Sequence, residues 1–226
     1  STLEYELPPF ALIKEEHYLP AFYEACAAHL AEVQAILDTP GAATFENTIV
    51  ALEKAGQYLG RVLRVFYNKS SSDTNDALDA IEEEIAPKFA AHQDAISLNP
   101  VLFKRIKDLY DARESLGLNS EDAWLLERYY KDLIHEGAHL TEAQRDRLKE
   151  LNEQLSSLET QFSKNVLADT NDLAILVDSV EELDGLSENQ IAAAAAAAKD
   201  RGHDGKWLIG MVNFTGNPVL DSLTNR

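Results

Sequence analysis

Five apolar residues, Leu148, Leu151, Leu155, Leu158 and Phe162, follow one another at alternating intervals of three and four. Intervals averaging about 3.5 residues keep side chains on one side of an α-helix, so this run predicts one long helix with a coiled-coil type of seam, made to pack against neighbouring helices. A chain built round such a rod is mainly helical. Shorter segments repeat the pattern. Residues 15–37 place Leu19, Phe22, Leu30, Val33 and Leu37 at helical spacing, and residues 75–96 do the same with Leu78, Ile81, Ile85 and Phe89.

Helix ends are marked by punctuating residues. Pro40-Gly41 closes the first helix. Thr44 is a candidate N-cap for the second, with Glu46 near its positive end, and that helix is expected to run to about residue 68. Pro87 should kink or divide the third. Asn99-Pro100 opens a fourth, which reaches Leu116 before Gly117 stops it. Ser120 is expected to cap the next, whose stripe contains Leu125, Leu126, Tyr129, Tyr130, Leu133 and Ile134. After Thr170 the texture changes. Residues 173–177 and 206–212 read as short strands, and Ser187 with Gln190 forms a capping box for the alanine-rich helix between them, up to Arg201.

The expected fold is therefore mainly α: a multi-helix array over residues 1–170, then a strand-helix-strand extension over 171–226 that carries a small antiparallel β pair near the carboxy end. No repeat of about 20–50 residues suggests a solenoid.

Composition narrows the partners. With 45% apolar residues in 226, the chain can bury a sizeable core. Its formal charge of −19 repels phosphate backbones and anionic lipid, which argues against nucleic acid and membrane surfaces. No apolar run reaches the 18 or so residues of a membrane span, and no basic region followed by an apolar stretch opens the chain, so the expected setting is cytoplasmic. The single cysteine, Cys26, stands among alanines and reads as a structural thiol on a buried helix face. Asn68 and Asn213 start glycosylation-type triplets that read as accidents in such a setting.

One chemical motif stands out. His135-Glu136-Gly137-Ala138-His139 fits H-E-x-x-H, in which two histidines one helical turn apart hold zinc and the glutamate activates a water. That chemistry requires unbroken helix between the histidines. Gly137 is instead the expected terminator of the stripe that ends at Ile134, and Thr141 with Gln144 forms a second capping box for a fresh helix. Glu159, at a tempting interval for a third ligand, would lie about 27 Å along that helix. The expected reading is a helix-to-helix turn with two exposed histidines. Elsewhere, Glu82, Glu83 and Glu84, and likewise Glu181 and Glu182, read as solvated faces. His17, His29, His92 and His203 have no partner at ligand or triad spacing, and Trp124 with Tyr129 and Tyr130 reads as core. No catalytic or metal-ligating residue is assigned, and no substrate-binding residue is identified.

Three stretches carry a resemblance: residues 44–56, the run 148–166 with Gln161-Phe162-Ser163-Lys164-Asn165-Val166, and the tail 219–226. Together they resemble the thimet oligopeptidase and oligopeptidase A family of zinc metallopeptidases, and within it, through residues 74–87 as well, the bacterial dipeptidyl carboxypeptidases. The likeness covers the whole chain but only the amino-terminal third or so of a family member. It implies a helical wall of a deep channel that admits short peptides, while zinc, its ligands and the catalytic glutamate belong to a downstream catalytic half. None of those residues transfers to a position here. On this reading the chain is a fragment, inactive alone, whose partners are short peptides and the missing carboxy-terminal half, and whose uncovered apolar surface favours self-association. The alternatives are an autonomous acidic helical interaction module and, last, a small zincin using residues 135–139.

Overall fold

The computed structural model describes residues 4–212 and 216–224. They divide into two compact units, Ser1–Thr160 and Gln161–Arg226.

In the first unit, α1 (Tyr18–Leu37) buries Tyr18, Phe22, Ala25, Val33 and Ile36 at spacings of three, four and eight, as a single inward face requires. It packs against α3 (Gln57–Ser72) and α4 (Asp76–Ser97), and the three helices share a core that includes Phe22, Phe66, Leu78 and Ile85. Asn75 caps α4 by accepting from the N–H groups of Ala77 and Leu78. The helix runs unbroken through Pro87, so the proline does not divide it; Ile81 and Ile85 before it and His92 after it are all buried, and packing holds both halves.

The expected second helix is broken, which corrects the sequence reading. Thr44 does cap it: Asn47 N–H donates to Thr44 Oγ1 (3.0 Å) and Thr44 N–H donates to Asn47 Oδ1 (2.8 Å). A widened turn over Phe45–Val50 leads into α2 (Ala51–Lys54), and Gly56 then takes φ +73 before α3 begins. Helical periodicity hides such a break, because apolar spacing resumes on the far side. Arg105 ties this region to α5 (Pro100–Asp111), donating to Thr39 O, Asn47 Oδ1 and Thr48 Oγ1.

Helix α5 ends at Asp111, short of Leu116, and a 3-10 turn over Arg113–Ser115 carries the chain on to Gly117. Asn99 caps α5. Helix α6 (Ser120–His135) is capped by Asn119 rather than Ser120: the Asn119 side chain accepts from the N–H groups of Glu121 and Asp122. A second core joins Ile49, Leu102, Ile106, Leu109, Leu126 and Leu133 from α5, α6 and the widened turn. Tyr129 and Tyr130 pack against it, whereas Trp124 is 61% exposed, contrary to expectation, with the Arg128 guanidinium over its ring. At 3.6 residues per turn Trp124 stands on the side of α6 opposite Leu126 and Leu133, so the face that buries them leaves it outside.

Helix α7 (Glu142–Asp172) is the predicted rod, 31 residues long. No residue of it is buried, and Leu155, Leu158 and Phe162 are 53%, 67% and 70% exposed. The seam is present but lies open.

In the second unit, β1 (Ile175–Val177) pairs antiparallel with β2 (Trp207–Ile209), with Leu176 opposite Leu208. Both strands are shorter than their predicted runs. Between them, α8 (Glu188–Asp200) starts at the predicted capping box, in which Ser187 and Gln190 satisfy each other's N–H groups. It packs against β2, over a small core of Val177, Leu183 and Ile209. Helix α9 covers Gly216–Ser222. The fold is mainly helical with one two-stranded antiparallel sheet. The Asn213 triplet lies outside the described residues.

Candidate functional site

The H-E-x-x-H segment folds as a helix terminus. Gly137 N–H donates to Ile134 O (3.1 Å) and Ala138 N–H donates to Leu133 O (2.9 Å), the paired bonds of a Schellman ending, with Gly137 at φ +95. The backbone angle favours glycine, and a Cβ there would stand 2.7 Å from Leu148 Cδ2 and 2.9 Å from Leu140 Cδ1, so both leucines would also have to shift. His135 closes α6, and His139 sits in the turn before α7. Both are exposed, and they do not share a helical face. Thr141 N–H donates to Gln144 Oε1 (3.0 Å), the reverse arm of the predicted second capping box. Glu159 stands well along the unbroken α7. With the helix ended between them, His135 and His139 lack the shared face that zinc ligation by this motif needs, and among the described residues no group of three or more His, Cys, Asp and Glu is arranged to hold a metal ion.

A different constellation emerges from the packing. His29 on α1 and His92 on α4, 63 positions apart in sequence, meet with His29 Nδ1 3.0 Å from His92 Nε2. Both lie on the inward stripes of their helices, His29 between Ala25 and Val33, His92 seven residues beyond Ile85. A histidine on an apolar stripe was the available signal; spacing along the chain could not reveal a pair made by tertiary folding. Sequence analysis therefore missed it. Burial holds both imidazoles below their ordinary pKa, assisted at His92 by the neighbouring ring and opposed at His29 by Glu32. Glu32 Oε2 in turn accepts from Gly56 N–H (2.7 Å), and a Cβ at Gly56 would lie 2.9 Å from His29 Nε2. The break that divides α2 from α3 thus lets the backbone approach His29.

The pair opens onto a cleft of about 490 Å³. Apolar side chains such as Leu59, Phe89 and Leu133 form much of its wall, while Gln93, Ser97, Asp132 and Glu136 supply polar groups. Burial raises the Glu136 pKa, opposed by a hydrogen bond with Ser97 and reinforced by Asp132 and Asp94. Asp132 accepts from Arg128 Nη2 (2.8 Å), and Tyr129 OH donates to Glu53 Oε1 (2.6 Å). Near the cleft, Asp94 is 7% exposed and accepts from Asn152 Nδ2 of α7 (2.7 Å); burial raises its pKa too. The volume and mixed lining suit a small amphipathic group. Cys26, half-buried against the first core, has its thiol pushed up to about 11 by burial, a structural and unreactive state. Tyr23 OH donates to Glu84, so one member of the acidic run is tied into packing between α1 and α4.

Comparison with known proteins shows what kind of chain carries this fold: its relatives are peptidases. It is 39% identical over all 226 residues to dipeptidyl carboxypeptidase of Escherichia coli (strain K12), covering 100% of this chain and 33% of that protein. Its identity with dipeptidyl carboxypeptidase of Salmonella typhimurium (strain LT2) is 37% over the same span, again 33% of that protein. With oligopeptidase A of Salmonella typhimurium it is 28% identical over 204 residues, 90% of this chain and 30% of that protein. Over its full length the chain is thus homologous to a segment of the dipeptidyl carboxypeptidase and oligopeptidase A family, and it spans about a third of the length of the relatives it matches. No family model matches the chain.

Proposed function

We propose that this chain is the amino-terminal, non-catalytic channel or lid region of a cytoplasmic zinc metallopeptidase that resembles dipeptidyl carboxypeptidase and releases carboxy-terminal dipeptides from oligopeptides. The observation that carries the proposal is full-length similarity to one third of such enzymes. The ending of α6 at Gly137 supports it, since the chain's one H-E-x-x-H segment is a structural turn. So does α7, whose amphipathic face has no cover among the described residues and suits burial by further polypeptide. In this proposal residues 1–170 supply the helical wall and 171–226 lead towards the catalytic half. The wall selects substrates sterically: a rigid helical surface beside a catalytic centre admits a flexible peptide, excludes a folded domain, and limits the poses an admitted peptide can take. Its acidic surface disfavours anionic polymers.

The second reading, an autonomous acidic helical module, is separated from the first by the coding sequence. An open frame beyond Arg226 that encodes another H-E-x-x-H is the expected result; a stop codon directly after Arg226 would favour the module.

A further inference from the structure

We propose that the His29–His92 pair is an acid-released fastener between α1 and α4, which sets the width of the cleft it lines. The inference goes beyond the peptidase reading and does not depend on it.

Counting hydrogens on the four ring nitrogens gives the mechanism. In the neutral pair, one N–H bridges the rings at 3.0 Å. The other hydrogen sits on His29 Nε2 if His92 donates, or on His92 Nδ1 if His29 donates. His92 Nδ1 is buried and has no hydrogen-bond partner among the described residues. A bare lone pair there costs less than an orphaned buried N–H, so His92 Nε2–H donates and His29 Nδ1 accepts. Adding one proton while keeping the bond fills every outer nitrogen. Whichever ring carries the charge, His92 Nδ1 then bears a hydrogen with no acceptor, in a residue that is only 6% exposed. A second proton places N–H against N–H and makes the contact impossible. The bonded pair therefore resists its first proton and is abolished by its second, and separation of α1 from α4 relieves both.

The surrounding charges leave the pair in control. On α1, Glu32 favours a protonated His29 but is engaged by Gly56 N–H. The residues of α2 and α3 that line the cleft are uncharged. On α4, Phe89 stacks on His92 at 6.2 Å, and Asp94 is bound to Asn152 of α7. From α6, Asp132 is paired with Arg128, Tyr129 is bonded to Glu53, and burial raises the pKa of Glu136. Because folding lowers both imidazole pKa values, the stabilisation they give is present above about pH 6.5 and is lost as pH falls below it.

Imidazole nitrogen NMR on the full chain, with amide exchange corrected for intrinsic rate, tests this. At pH 7.5 His92 should carry hydrogen on Nε2 and none on Nδ1. Between pH 7.5 and 5.5, amides of α1 and α4 near the pair should lose protection by about tenfold or more. His92→Phe, which keeps an aromatic ring beside Phe89 and has nothing to protonate, should lose that pH-dependent step, and His29→Gln, which removes the clash of two protonated rings but leaves His92 Nδ1 to be orphaned, should show a smaller one. A hydrogen on His92 Nδ1 at pH 7.5 would overturn the proposal. So would wild-type protection that is flat with pH, or an equal pH step in a variant that folds. If either variant fails to fold, the wild-type ring titration and exchange decide alone.

Discussion

Gly137 determines how the H-E-x-x-H segment is read. Its φ of +95 and the nearness of Leu148 and Leu140 mean that any Cβ meets both backbone strain and a clash. Gly117, at φ +65, has nothing within 4 Å of a Cβ and would meet strain alone. Gly137→Ala should therefore lower the urea midpoint by more than Gly117→Ala, whose cost should be about 1–2 kcal/mol; equal losses would show that Gly137 is not a packed terminus. At this scale the sequence was legible where chemistry is local. Gly137, Thr44, Asn99 and the Ser187–Gln190 box act within a few residues of themselves, and each stands at the helix boundary its side chain or backbone implies. Asn119 displaced Ser120 as a cap because adjacent candidates compete and differ by one position in the turn. His29, His92 and Gly56 were illegible for the opposite reason: their meaning comes from partners 24 to 63 residues away.

At the scale of elements, the contrast lies between α7 and the helices of the two cores in the first unit. Ile106 on α5 is fully buried, whereas Leu158 on α7 is 67% exposed. Ile106→Ala should cost about 2–5 kcal/mol in denaturant unfolding, and Leu158→Asp should change stability by no more than about 0.5 kcal/mol. A large loss from Leu158→Asp would mean that the seam is covered within this chain. The period of that seam was plain in the sequence, and so was the helix it specifies. Its partner was not, because periodicity gives the face a helix buries without naming what buries it. The strands were shortened from their predicted runs for a related reason: only three residues of each find a hydrogen-bonded neighbour, and apolar character alone does not make a ladder.

On the scale of the whole molecule, an acidic, mainly helical chain matches about a third of the length of the peptidases it resembles. Open apolar positions along α7, from Leu151 to Val166, should drive self-association of the isolated chain. Sedimentation or size exclusion should show a mass that rises with concentration and falls when Leu155 and Leu158 are both changed to Glu; a monomer at high concentration would count against an uncovered face. We propose that this segment belongs to a zinc peptidase without holding its catalytic centre. The most direct measurement is zinc content and peptide hydrolysis by the isolated 226-residue chain after purification with added zinc. The expected result is well under one zinc per chain and no dipeptide released from an oligopeptide. One tightly held zinc per chain, with hydrolysis, both abolished by His139→Ala, would contradict it.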